Sequence, residues 1–345
     1  MIANEKIAIS GMSLSDLKDA ISPLPRFRAD QIYSWILKGA KDFSEMSNIP
    51  VNLQNELKEK FIVFSTNISS VHDDTDTKKI VLSLKDDLKV EAVLLNDGKE
   101  RYTSCLSTQA GCPASCVFCK TGSLGFKRNL DSAEIAEQFL HLRTVNNFKI
   151  DNIVIMGMGE PFLNCENLRK AIAVFTDPKG LNISRRRITV STCGIVKGIL
   201  DFADNGPYIR LALSLTTADE ALREKLMPVT KSNPLDKVKN ALVSFQQKSK
   251  ERITLEIPLF GGINTSDKDA LSILKFIKGM DAIVNLIPWN PVKGLMFEGR
   301  PIEEPLPQEV MRFKKSLENL KIKVTMRLHK GKRINGACGQ LGSLL

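Results

Sequence analysis

Three cysteines stand close together in Gly111-Cys112-Pro113-Ala114-Ser115-Cys116-Val117-Phe118-Cys119, at C-x3-C-x2-C spacing. Thiolates bind soft metals and iron–sulfur clusters. Three of them can hold three irons of a [4Fe-4S] cluster and leave the fourth iron open to a small-molecule ligand. A structural zinc site instead wants four closed ligands, commonly from paired C-x2-C knuckles. Cys105 can serve as a fourth, so zinc is the competing reading, and a core residue is the plainer one for Cys105. A second candidate is Met156-Gly157-Met158-Gly159-Glu160-Pro161. Its glycines permit close backbone approach, and Glu160 can pair with a ligand ammonium. The plain alternative is a strand-ending turn. Ser191, Ser214 and Asn290 fall at predicted strand ends, where together they supply hydrogen bonders on one rim.

Cys338 lies in Asn335-Gly336-Ala337-Cys338-Gly339-Gln340-Leu341. Small neighbours suit an accessible thiol, and Lys332 and Arg333 favour its thiolate. The bland alternative is an idle cysteine in a fraying tail. Cys165 and Cys193 have no supporting context and read as small hydrophobes. Residues 312–333 carry nine Lys or Arg (Arg312, Lys314, Lys315, Lys321, Lys323, Arg327, Lys330, Lys332, Arg333) against one acid, Glu318. Arg185-Arg186-Arg187 is a second cluster. A charge run is usually a solvated face, but this one leads into Cys338, which favours a phosphate backbone as partner.

The elements that must position these groups follow from periodicity. Residues 1–61 read as a small helical accessory domain, with Ser13 and Ser15 as possible caps, Ile32, Trp35, Ile36 and Leu37 at helical spacing and a helix after Pro50. Residues 62–100 read as a β-hairpin connector, with strands at 80–84 and 90–95. From 101 to 330 strands and helices alternate. Strands are expected at 102–108, 151–157, 187–192, 209–215, 252–258 and 282–288. Helices are expected at 131–146, 164–175, 196–204, 234–249 and 266–279, then 307–320, with a last strand at 322–328. Repeated β-then-α units predict an α/β fold, a partial (β/α)6 TIM-like barrel with its site at the C-terminal strand ends. Residues 331–345 form a tail.

The chain has 345 residues, with 43% hydrophobic and 26% charged residues. That balance excludes a disordered chain, a collagen-like fibre and a small disulfide scaffold. No stretch approaches the roughly 18 apolar residues of a membrane helix, so no membrane partner is expected. Met1 to Met12 shows no basic start followed by an apolar block. The cytosol is the expected location, and there the seven cysteines are expected as ligands, catalytic groups or core residues rather than disulfides. The net charge of +10 suits a polyanionic partner.

The cysteine spacing, with an aromatic before the last cysteine, matches the radical S-adenosylmethionine (SAM) signature. The whole chain resembles the radical SAM adenosine methyltransferases of the RlmN/Cfr family. The matching text is Phe27-Arg28-Ala29-Asp30-Gln31, Ser107-Thr108-Gln109-Ala110-Gly111-Cys112, Gly125-Phe126-Lys127-Arg128-Asn129-Leu130, Met156 to Pro161, Pro288-Trp289-Asn290-Pro291 and Ala337-Cys338-Gly339-Gln340-Leu341. The resemblance implies that Cys112, Cys116 and Cys119 hold the cluster. It implies that Gly159, Glu160, Ser191, Ser214, Leu215, Thr216 and Asn290 line the SAM site. Cys338 is implied as the methyl-carrying cysteine, Cys105 as its disulfide partner during product release, and Glu91 as a proton acceptor.

The implied substrate is carbon 2 of an adenosine in large-subunit ribosomal RNA and in some transfer RNAs, with a reducing electron donor as further partner. Carbon 2 is electron-poor and cannot attack a sulfonium methyl, which is why a thiolate carrier is needed. The sequence departs from the family pattern at Thr216, where histidine is usual, and at Lys332-Arg333-Ile334-Asn335, where acidic residues are usual. Methylation at carbon 8, a paralogue with another RNA target, and a non-catalytic zinc- and RNA-binding protein are the alternatives.

Overall fold

The computed structural model describes residues 6–98, 101–147, 150–326 and 330–342. A ten-stranded sheet runs in chain order through Asn67–Asp74, Thr77–Ser83, Lys89–Asn96, Tyr102–Cys105, Asn152–Ile155, Ile188–Thr192, Arg210–Ser214, Ile253–Leu259, Ala282–Pro288 and Val324–Met326. From Tyr102–Cys105 onward every neighbouring pair is parallel. The parallel strands are covered on both faces, so Leu211, Ala212 and Leu213 in a row are all buried. Among the described residues the two end strands do not pair, so the barrel stays open.

The covering helices are Ser132–Asn146, Cys165–Thr176, Val196–Asn205, Leu235–Ser249, Asp267–Ile277 and Pro307–Asn319. Asp131 and Glu134 form a reciprocal capping box at the first, and Ser266 and Asp269 do so at Asp267–Ile277. The last strand was expected at 322–328; Val324–Met326 is present, and residues 327 and 328, with Arg327 of the basic run, lie outside the described residues.

The segment expected as a hairpin connector differs from expectation. Three antiparallel strands, not two, form a meander, and Lys89–Asn96 pairs with Tyr102–Cys105. The segment is thus the antiparallel edge of the barrel sheet. Its outer strand, Asn67–Asp74, is NISSVHDD, too polar to show a buried face in the sequence.

The helices Leu14–Ala20, Arg26–Leu37 and Val51–Lys60 pack around Leu17, Ile32, Ile36, Phe43 and Leu57. Ser13 caps the first through a box with Asp16, while Ser15 lies inside that helix. This unit docks on helix Ser132–Asn146 through one buried carboxylate. Glu137 accepts from Ser10 Oγ (2.5 Å), Ser65 N (2.7 Å), Thr66 N (2.7 Å), Thr66 Oγ1 (2.6 Å) and Ser65 Oγ (3.0 Å). A Cβ on Gly11 would sit 2.4 Å from the Ala133 backbone, so only glycine permits this approach.

Candidate active site

The C-terminal ends of the parallel strands open onto a cavity of about 190 Å3. Cys112, Cys116 and Cys119 line it from one side. Gly159, Glu160, Ser191, Ser214, Thr216 and Asn290 line it from the strand ends. Ser191 Oγ and Ser214 Oγ are 3.1 Å apart, bridging two adjacent strands. The Leu215 side chain is buried in the core, and only its neighbours Ser214 and Thr216 face the cavity.

The cysteine loop is fixed by its surroundings. Cys112 N donates to Gly125 O (3.1 Å), Val117 N to Leu226 O (3.1 Å) and Cys119 N to Cys116 O (3.2 Å). Trp289 Nε1 donates to Phe118 O at 3.1 Å. Phe118, Phe260 and Trp289 stack in series, with centroids 5.0 and 6.0 Å apart. Burial pushes the Cys112 thiol up to about 12. Burial also raises Cys116 and Cys119, with the neighbouring thiols adding to the rise. Such thiols keep their protons until a metal core displaces them.

Gly159 has φ +100, and a Cβ there would lie 2.5 Å from Gln109 Cβ, so the turn packs directly on the neighbouring segment. That close packing brings Glu160 into the cavity wall. Its carboxylate accepts from Phe162 N (3.0 Å) and Cys193 N (2.7 Å), and burial raises its pKa. A buried carboxylate beside a cavity favours a cationic ligand there. Thr216 has φ +65, a strained conformation for a β-branched residue, and its buried Oγ1 has no hydrogen-bond partner among the described residues. A hydroxyl left so costs about 1–3 kcal/mol, and a ligand in the cavity would satisfy it.

A second cavity, about 100 Å3, adjoins the first. Cys105 and Cys338 both line it, with Cys119, Thr121, Met156 and Lys330. Cys338 and Asn290 line both cavities. Cys105 is buried and Cys338 exposed.

The tail that carries Cys338 crosses the open side of the barrel. On the meander side, Lys79 Nζ donates to Asn335 O (3.2 Å), Gly342 N donates to Glu91 Oε2 (2.8 Å), and Lys330 Nζ bonds Asn96 O. On the other side, Gln340 Nε2 donates to Pro291 O (3.1 Å) and Asn290 Nδ2 to Cys338 O (3.5 Å). Thr121 Oγ1 donates to Leu341 O (2.8 Å) and Lys120 N to Gly339 O (2.8 Å). Residues 343–345 lie outside the described residues. Glu91 is completely buried, 3.1 Å from the equally buried Lys79, and does not line either cavity. Burial lowers the Lys79 pKa against the pull of Glu91.

The cysteine loop suits a cluster by its donors. The three thiols of the loop open onto one cavity, whose wall also holds Cys193 and Cys338. A structural zinc site closes four ligands on one ion, whereas each thiolate of a cluster binds a different iron and three of them leave the fourth iron open. Sequence reasoning missed Glu256, Cys193 and Trp289 in the cavity wall, and Arg223 behind it. For Glu256 the signal available was its place in strand Ile253–Leu259, beside Ser214 of the next strand.

Residues 106–276 match the Radical SAM superfamily, and residues 9–63 match the Ribosomal RNA large subunit methyltransferase N-terminal domain. A probable dual-specificity RNA methyltransferase RlmN of Treponema denticola is 48% identical over 343 residues, covering 99% of this chain and 97% of the relative. The dual-specificity RNA methyltransferase RlmN of Nitratiruptor sp. is 41% identical, covering 92% and 93%. The crystal structure of a radical SAM methyltransferase from Sphaerobacter thermophilus superposes with TM-score 0.92 at 31% identity, covering 98% of this chain and 99% of that one. No helix of the described residues is long and apolar enough to cross a membrane.

Proposed function

The chain belongs to the RlmN family of radical SAM proteins, and on that premise we propose that it methylates carbon 2 of an adenosine in ribosomal and transfer RNA, using Cys338 as methyl carrier. One observation carries this reading. Cys338 lines both the cavity of the cysteine loop and the cavity of Cys105, so this residue borders the cofactor side and the partner thiol's cavity alike.

Cys112, Cys116 and Cys119 would hold a [4Fe-4S] cluster. Gly159, Glu160, Ser191, Ser214, Leu215, Thr216 and Asn290 would hold S-adenosylmethionine, with Glu160 on its ammonium and Leu215 contributing backbone. Together the two groups supply one-electron cleavage of a C–S bond and so radical hydrogen abstraction. Cys338 takes a methyl group by displacement, which a thiolate does and an adenine carbon does not. Hydrogen is then lost from the Cys338 S-methyl, its carbon joins carbon 2 of the base, and the adduct would give up its carbon 2 proton to Glu91 and its unpaired electron to the oxidised cluster. Cys105 then attacks the Cys338 sulfur; the S–C bond breaks, the released carbon takes up a proton to complete the methyl group, and a disulfide is left. A reducing cytosol resets the pair.

Glu91 serves as proton acceptor once the turn at 340–342 lifts, because Gly342 N now occupies Oε2. The helical unit, residues 1–61, contributes RNA contacts, and an unstacked loop base is the favoured target. The non-catalytic zinc reading is not favoured by relatives named as methyltransferases.

The test is a comparison of nucleosides in ribosomal and transfer RNA from cells with and without this protein. Loss of 2-methyladenosine upholds the reading. Loss of 8-methyladenosine alone moves the site of methylation, and no change in any methyladenosine overturns it.

A further inference from the structure

Arg223 is the largest completely buried side chain among the described residues. It sits in the short helix Glu220–Leu226, directly behind the cavity wall. Its guanidinium donates to Leu215 O (2.9 Å), Thr230 Oγ1 (2.8 Å), Cys193 O (2.6 Å) and Ser214 O (3.2 Å). Every acceptor is neutral, and no ion pair found among the described residues includes it. Removing a cation from water costs several kcal/mol unless a nearby anion offsets it. Glu160 is within its electrostatic reach but is engaged by Phe162 N and Cys193 N. Glu220 is turned to Leu235 N.

The thiols of Cys193 and Cys116 are also within its electrostatic reach, and the guanidinium is bonded to the Cys193 carbonyl itself at 2.6 Å. Leu226 O, at the end of the same helix, accepts from Val117 N inside the cysteine loop. The helix is therefore tied to the loop that would carry the cluster. A cluster held by three thiolates is anionic, and more so after it accepts an electron. Net charge close to a cluster is one of the quantities that set its reduction potential.

We propose that Arg223 is the buried counter-charge of the cluster on Cys112, Cys116 and Cys119, and that it raises the cluster's reduction potential so that a low-potential one-electron donor can load it. Arg223 is a positioning residue: it touches neither cofactor nor substrate, and acts through charge across the wall formed by Cys193 and Ser214. The inference rests on the cluster reading of the cysteine loop.

The experiment is an anaerobic dithionite titration of the reconstituted full-length protein, read by the electron paramagnetic resonance of the reduced cluster. Wild type, Arg223→Gln and Arg223→Lys are compared. At the wild-type midpoint Arg223→Gln should hold at least tenfold less reduced relative to oxidised cluster, a shift of about 59 mV for one electron. Arg223→Lys should recover most of that shift. Equal midpoints for wild type and Arg223→Gln overturn the proposal. If Arg223→Gln does not load iron, loading decides: recovery in Arg223→Lys upholds the counter-charge, and equal failure of both overturns it. A wild-type protein without a reducible cluster would instead sink the underlying reading of the cysteine loop.

Discussion

The cysteine loop and the carboxy-terminal turn bring sulfur to the same space, and they are held in different ways. The loop is wedged between an aromatic series, the helix bearing Arg223 and the strand ends. The turn is held by single hydrogen bonds with Lys79, Glu91, Lys120, Thr121, Asn290 and Pro291 and by the buried Leu341 side chain. A cluster ligand has one position to keep. A methyl carrier must meet a donor, a base and a partner thiol in succession, so its anchors must be separable. The buried Lys79–Glu91 pair and the Leu341 side chain in the core are the firm points of the turn.

The comparison breaks most sharply at the sulfurs. Cys119→Ala should abolish both bound iron and methyl transfer, whereas Cys338→Ala should abolish transfer and leave iron intact; iron assay with methylation of transcript RNA reads both. Iron loss in Cys338→Ala would place that thiol with the loop. Next, Cys105→Ala should stall after the base is joined and accumulate a protein–RNA adduct, seen as a shifted band on a denaturing gel. For the turn, Glu91→Ala leaves Lys79 buried without its partner and should cost about 3–5 kcal/mol in urea unfolding. Lys79→Met with Glu91→Leu should return much of that stability while leaving the turn unanchored and turnover impaired.

The docking carboxylate supplies a pH test of similar or smaller size. Burial raises Glu137 from 4.5 to about 7 despite its donors. The folded state therefore binds a proton that the unfolded chain releases near pH 4.5. That contribution is complete below about 4.5 and is lost as pH rises through about 7, on the order of 3 kcal/mol at most. Glu137→Gln should flatten the slope over that range in unfolding free energy. The smallest effect is expected from Thr121→Val, which removes one bond to Leu341 O: about 1 kcal/mol and a few-fold in rate.

The parallel units were legible because buried strands such as RLALS and capped amphipathic helices carry their periods in the chain. The cysteine spacing and the polar strand-end residues were legible for the same local reason. What escaped notice was polar and buried. Asn67–Asp74 hides as a strand because only Ile68 of its half-buried positions is apolar, the others being Ser70, His72 and Asp74. Arg223 sits in EALREKL, which reads as a solvated helix, yet it is completely buried. Lys79 and Glu137 likewise look like surface charges, since their partners, Glu91 and Ser10, Ser65 and Thr66, come from other segments. Charges satisfied at long range leave no periodic trace.

The open side of the barrel gives the tail a mechanical setting. It spans from the meander to the last long strand like a string between two posts. The outermost post, Asn67–Asp74, is polar and faces outward, and its neighbour, Thr77–Ser83, contributes Lys79. On the meander side the tail that carries Cys338 is thus tied through Lys79 and Glu91, on strands Thr77–Ser83 and Lys89–Asn96, rather than through the parallel strands.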